Sequence, residues 1–233
     1  MEEDRQEIAE RKGMNILVID VGGTSVKFAA TGQSEPRKFA SGLDLSAQEM
    51  VDQIQKAVAD WEFDAITIGY PGPVLGGKIA KEPVNLGTGW LGFDFQAAFG
   101  KPVRLINDAA MQALGSYSGG RMLFLGLGTG LGSCAIYDNV ICPMELGHLP
   151  YRKGRTFEEY VGHAGMKALG RRKWQAAVYD VVARLQAALL PEYIVLGGGN
   201  VKRLDELPPG CRQGSNDNAF EGGFRLWEMN GGK

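Results

Sequence analysis

Apolar positions along the chain fall into short continuous runs and longer helical periods, and the alternation of the two predicts an α/β protein. Residues 16–20 (Ile-Leu-Val-Ile-Asp) form a run of strand length, a turn follows at 21–25 (Val-Gly-Gly-Thr-Ser), and residues 26–30 resume as a second strand. Ser46 and Glu49 stand at capping-box spacing ahead of Val51, Ile54, Val58 and Trp61, which recur at helical period. Residues 64–69 predict the next strand, broken sharply by Tyr70-Pro71-Gly72-Pro73. A loop-rich stretch containing Gly76, Gly77 and the segment 85–90 leads to a short helix that starts near Asp94 and stops at Gly100. Residues 103–106 are again apolar apart from Arg104, end at Asn107-Asp108, and give way to an amphipathic helix over 109–117. Residues 122–132 then repeat the opening pattern, and 133–137 form the return strand. Thr156 and Glu159 make a second capping box, and Trp174, Val178, Val181, Leu185 and Leu189 mark a long helix ended by Pro191. Residues 194–200 are a last strand running into a third glycine turn, and Phe220, Phe224 and Trp227 share one face of a C-terminal helix capped near Asn216 or Asp217.

The two strand–glycine–strand patterns lie roughly one hundred residues apart, the length of a small α/β domain. Two similar halves with a cleft between them are therefore expected: 1–13 as a flexible charged tail, 14–108 as the first lobe and 109–233 as the second, with the last helix packing back on the first. The 34 glycines among 233 residues, about twice average usage, cluster at strand ends and read as turns and close backbone approaches. A formal net charge of −2 gives no electrostatic support for a nucleic-acid or membrane partner. No apolar run approaches the ~18 residues of a membrane span. Cys134, Cys142 and Cys211 have no paired spacing, as expected of reduced thiols in a cytoplasmic protein. His148 and His163 show no metal-ligand spacing with them. Glycines 126, 128, 130 and 132 alternate, unlike a dinucleotide fingerprint, and no P-loop motif occurs.

The candidate chemistry centres on Asp108. A carboxylate at a strand-to-helix junction is an ordinary helix cap. Glycine turns upstream at 20–24 and downstream at 126–132 add a second reading, because adjacent glycine amides and the hydroxyls of Thr24 and Ser25 suit an anion, and a carboxylate between two such turns suits phosphoryl transfer. Asp20, at the end of its strand, would sit beside that anion and hold Mg²⁺ through water. Glu158 and Glu159 are equally what a helix dipole favours in a first turn, and His148 near Glu145 equally a structural pair. Arg152, Lys153, Arg155 and the run 171–173 read either as a solvated face or as a track for a polyanion.

Taken in order, Asp20-Val-Gly-Gly-Thr-Ser-Val-Lys27, Gly69-Tyr-Pro-Gly-Pro73, Asn107-Asp108, Gly126-Leu-Gly-Thr-Gly-Leu-Gly132, Glu145-Leu-Gly-His148 and Leu196-Gly-Gly-Gly199 resemble the ROK family of sugar kinases and repressors. The resemblance implies a duplicated ribonuclease-H-like (actin-like ATPase) fold, with sugar and phosphoryl donor between two lobes. It makes Asp108 the catalytic base and Asn107, Glu145, His148, Glu158 and, by a looser match, Gly77 the sugar ligands. Gly22, Gly23, Thr24, Lys27, Gly128, Thr129 and Gly130 would serve the phosphates, with Asp20 near Mg²⁺ and Gly198 and Gly199 beside the adenosine. Many family members carry a cysteine-rich zinc motif just after the Glu-x-Gly-His segment; residues 149–157 contain no cysteine, so no structural zinc is expected. The segments 85–90 and 151–155 are most similar to the polyphosphate-glucokinase branch. The implied activity is transfer of a terminal phosphoryl group from polyphosphate or ATP to the 6-hydroxyl of glucose or a related hexose, by a cytoplasmic homodimer. A strictly ATP-dependent hexose or amino-sugar kinase and a non-catalytic sugar sensor are the alternatives.

Overall fold

The apolar run at residues 16–20 becomes the middle of a five-stranded sheet in a computed structural model that describes residues 13–215 and 217–229. The expected tail therefore lies outside the described residues except for Gly13. By its internal contacts the chain divides into two units, Met1–Met111 with Ala219–Lys233, and Gln112–Asn218.

In the first unit β1 (Ile16–Val21), β2 (Ser25–Ala30) and β3 (Arg37–Ala40) form an antiparallel meander, while β4 (Ala65–Tyr70) and β7 (Val103–Asn107) add on the other side of β1 in parallel, giving the order β3-β2-β1-β4-β7. β4 is buried at every position, as a central parallel strand covered on both faces must be. Helix α1 (Ala47–Ala57) opens with the expected capping box: Glu49 N–H donates to Ser46 Oγ at 3.3 Å and Ser46 N–H to Glu49 Oε2 at 2.8 Å. It buries Met50, Val51 and Ile54 against one sheet face with Leu17, Ile19, Phe28, Trp61, Ile66 and Ile68. Between β4 and β7 lie a small hairpin, β5 (Val74–Leu75) and β6 (Lys78–Ile79), and helix α2 (Phe95–Phe99). The hairpin's loop is Gly76-Gly77, with φ of +55° and +71°, the backbone that a two-residue turn matching strand twist requires. Helix α3 (Asp108–Ser116) follows β7 with no intervening loop.

The second unit repeats the plan. β8 (Arg121–Leu127), β9 (Leu131–Tyr137) and β10 (Val140–Met144) make the meander, and β11 (Tyr193–Gly197) and β12 (Cys211–Gln213) continue in parallel, in the order β10-β9-β8-β11-β12. Helices α4 (Phe157–Val161), α5 (His163–Leu169) and α6 (Arg171–Leu189) lie between β10 and β11. The α6 face read from periodicity is the buried one: Trp174, Val178, Val181 and Leu185 pack with Leu123, Leu125, Ile194 and Leu196. The matching strand orders make the fold a duplicated ribonuclease-H-like one, as the sequence led us to expect. No helix among the described residues is long and apolar enough to cross a membrane.

Helix α7 (Asn218–Arg225) falls in the first unit from Ala219 on, and of the expected aromatic face only Trp227, just past the helix, is buried. Ala219, Gly222, Gly223 and Trp227 are buried, whereas Phe220 and Phe224 are half-buried. The reason is a close approach: a Cβ on Gly223 would stand 2.2 Å from Val18 Cγ1, so only glycine lets the helix reach β1. Thr67, fully buried in β4, completes the contact by donating to Gly223 O at 2.8 Å and accepting from Trp227 Nε1 at 2.9 Å.

Candidate active site

In the first unit the expected residues gather at the carboxyl ends of β1, β4 and β7. The register pairs Asp20 with Gly69 and Gly69 with Ile106, so Asp20 and the Asn107-Asp108 junction are two strands apart, ~10 Å at ordinary strand spacing. The junction is built tightly. Asn107 provides a cap across the first turn, its Oδ1 accepting from Ala110 N–H at 3.0 Å, while its Nδ2 donates to Gly72 O at 3.1 Å. That second bond ties the Pro-Gly-Pro break after β4 to the start of α3. Asp108 Oδ1 accepts from Ala109 N–H at 2.7 Å, and the residue is half-buried. Gly69 makes room for α3, since a Cβ there would lie 2.2 Å from Met111 Cε.

Asp20 is half-buried and pairs across the hairpin with Lys27. Burial pushes its carboxyl above the ordinary range, and the charge of Lys27 pulls it partly back. The turn beside it is closed by its own backbone, Gly22 N–H donating to Ser25 O at 3.1 Å. Gly22 therefore uses its amide within the turn, which leaves Gly23 and Thr24 as the better-placed donors of the expected set. Asn85 packs over Gly23, whose absent Cβ would stand 3.0 Å from Asn85 Cβ. Gly77 is at the tip of the β5–β6 hairpin, on a groove of about 630 Å³ lined also by Trp90, Leu91, Phe93 and Leu105. None of the other expected sugar ligands lines that groove.

The second unit assembles a cluster of its own. His148 Nε2 lies 3.5 Å from Glu158 Oε1. A Cβ on Gly130 would meet Glu158 Oε2 at 2.5 Å and one on Gly147 would meet it at 3.2 Å, so the carboxylate rests directly on the second glycine turn. Glu145 is exposed, and its backbone is bracketed by the buried Ser133, whose hydroxyl donates to Met144 O at 2.8 Å and accepts from Leu146 N–H at 3.0 Å. Gly128, Thr129 and Gly130 form the β8–β9 turn, and Gly198, at φ +84°, runs so close to Leu127 O that a Cβ would stand 2.4 Å from it. Asn200 Nδ2 donates to Gly128 O at 2.9 Å and joins the two turns.

Between His148 and Glu158 the chain makes a small hairpin, closed by a bridge from Pro150 to Thr156. Tyr151 OH donates to Asp180 Oδ2 at 2.7 Å, and Arg184 Nε and an Arg152 guanidinium nitrogen reach the same oxygen at 2.8 and 3.1 Å. Burial raises the Tyr151 phenol to about 12, so it stays a donor at any physiological pH. Arg152 is thus engaged with Asp180, and Arg171 with Asp205, while Lys153, Arg155, Arg172 and Lys173 are exposed.

Ser133, Ser41 and Asn200 were not singled out from the sequence. Ser133 could have been found as a polar residue facing inward on an apolar strand; the other two act on backbone carbonyls, for which no motif exists.

The ROK family model matches residues 16–168. A polyphosphate glucokinase of Mycobacterium tuberculosis (strain CDC 1551 / Oshkosh) is 25% identical over 214 residues, covering 82% of this chain and 80% of the relative. A glucokinase of Pyrobaculum calidifontis is 27% identical over 232 residues, covering 78% and 74%. Among solved structures, the inorganic polyphosphate/ATP-glucomannokinase of Arthrobacter sp. strain KM superposes with a TM-score of 0.78 at 23% identity, over 92% of this chain and 98% of that one.

Proposed function

The chain belongs to the ROK family, and we propose that within it the protein is a sugar kinase that moves a terminal phosphoryl group from ATP or polyphosphate to the 6-hydroxyl of glucose or a related hexose. The observation that best supports this reading is the seat of Glu158: a carboxylate with a histidine partner, suited to sugar hydroxyls, lies against the glycine turn suited to phosphates. Asp108 accepts the proton of the attacking hydroxyl. Asn107, Glu145, His148 and Glu158 bind the other hydroxyls, and the turns at 22–24, 128–130 and 198–199 hold the donor. In phosphoryl transfer, positioning and charge neutralisation supply most of the acceleration, so no protein nucleophile is needed.

Among the described residues no cluster of three His, Cys, Asp or Glu would cage a metal by itself. Asp20 fits Mg²⁺ held mainly by the donor's phosphates, because the carboxylate pays a burial cost that a divalent neighbour would relieve. Bound there, the ion would neutralise charge on the phosphoryl group in transfer. Both donors stay in the proposal: the relatives include polyphosphate users, while Arg152 and Arg171 are already paired. The protein is expected to work as a cytoplasmic homodimer.

The test is a product assay with a panel of hexoses, ATP and long-chain polyphosphate, each with Mg²⁺, read by phosphorus NMR. A hexose 6-phosphate with either donor is the expected product. Calorimetric sugar binding with no product from either donor would replace the kinase with a sensor.

A further inference from the structure

Two peptide carbonyls, one in each unit, fix the direction of two turn amides. Gly22 and Gly128 hold the same place in the duplicated plan, directly after β1 and β8. Each commits its own N–H within the turn, Gly22 to Ser25 O at 3.1 Å and Gly128 to Gly130 O at 3.2 Å. Each also has its carbonyl oxygen held by a side chain from outside the hairpin. Ser41, just past β3, donates from Oγ to Gly22 O at 2.5 Å. Asn200, beyond β11, donates from Nδ2 to Gly128 O at 2.9 Å.

A trans peptide is planar, so the C=O of one residue and the N–H of the next point in opposite directions. Holding the oxygen of Gly22 therefore aims the amide of Gly23, and holding that of Gly128 aims the amide of Thr129, away from the holding side chain. Neighbouring bonds reinforce both clamps. Ser41 N–H donates to Thr24 O at 3.1 Å, His163 N–H to Gly128 O at 3.1 Å, and Asn200 N–H to Leu127 O at 3.0 Å. The clamps have work to do because glycine flanks each peptide and turns over at little steric cost. Glycines 22, 23, 128 and 130 all lie outside the left-handed region, so no special φ locks these turns.

We propose that Ser41 and Asn200 are a matched pair of positioning residues that aim the Gly23 and Thr129 amides at the phosphates of the donor. The proposal rests on the reading above that these turns bind a phosphate chain, the chemistry shared by ATP and polyphosphate.

Amide correlation spectra of the ¹⁵N-labelled protein, titrated with tripolyphosphate, test it together with steady-state kinetics. In the wild type the Gly23 and Thr129 amide resonances shift on titration. Ser41→Ala diminishes the shift at Gly23 and leaves that at Thr129; Asn200→Ala does the reverse; Ser41→Thr, which keeps a hydroxyl, restores the first. Each alanine variant raises the donor KM by about 3- to 10-fold, the worth of one hydrogen bond, with the sugar KM unchanged. Asn200→Asp, nearly the same size but an acceptor facing an acceptor, behaves as the alanine variant, and dispersion in the remaining resonances reports that each variant is folded. Wild-type amides that ignore tripolyphosphate in an active enzyme overturn the donor reading of the turns. Variants that shift as the wild type does, with an unchanged donor KM, overturn the assignment of Ser41 and Asn200 alone.

Discussion

Asp20 is held at a cost to the unliganded protein. Its folded-state pKa lies above the ordinary carboxylate value, through burial that Lys27 only partly offsets. Between the unfolded and folded values the folded state binds more protons, so stability falls as pH rises through that window, and the carboxylate is destabilising at neutral pH. Asp20→Asn is therefore expected to raise the thermal midpoint of the donor-free protein at pH 7, to give no such gain near pH 3 where the carboxyl is protonated folded or unfolded, and to lower turnover. Thermal scans at the two pH values, with an activity assay, check all three. The sequence made Asp20 legible as a residue at a strand end beside a glycine turn, but its burial depends on neighbours distant in the chain. Asn107 teaches the same lesson. Its type was noticed as a sugar ligand, yet the bonds to Ala110 and Gly72 that let it fix the mount of Asp108 needed coordinates to see.

Among the elements, the hairpin at 150–156 matters most to the proposed sugar site, because it connects His148 to Glu158. Tyr151 and Arg152 both reach Asp180 Oδ2 and lock that hairpin to α6, where Arg184, one turn further along the same helix, holds the carboxylate in place. Asp180→Ala frees it, and the expected outcome is a sugar KM raised by about 3- to 10-fold with the donor KM unchanged, since hydrogen bonds to a charged group are worth roughly 1.5–3 kcal/mol and only part of that reaches the site. Helix α7 offers a stability test. Gly223→Ala forces a methyl group into Val18 and is expected to cost about 1–3 kcal/mol in urea unfolding, as overpacking does. Continuous apolar runs revealed β1, β4 and β8, and helical period revealed α1 and α6, because those elements bury wide apolar faces. β3, β10 and β12 escaped notice: β3 and β10 are edge strands with partly exposed faces, β10 carries Pro143, and β12 is only three residues long. The aromatic spacing pointed to Phe220, Phe224 and Trp227, of which only Trp227 is buried, while the helix itself packs through Ala219, Gly222 and Gly223, which carry little hydrophobic signal.

At the scale of the whole molecule the duplication is the organising fact. Two sheets with one strand order each carry a glycine hairpin between their first two strands, and in each a side chain from elsewhere fixes the first glycine's carbonyl. The repeat was visible in the sequence because glycine turns leave a local signature. On this account both units bring phosphate-binding turns, the first adds the base and the second most of the sugar ligands. The claim on which all of this depends is that the Asp108 carboxylate takes the sugar's proton. The most direct measurement is kcat for Asp108→Asn beside calorimetric sugar affinity for the same protein. The account predicts a turnover lower by roughly 10²–10⁴-fold with sugar affinity preserved; a folded Asp108→Asn protein that binds sugar and turns over at the wild-type rate would contradict it.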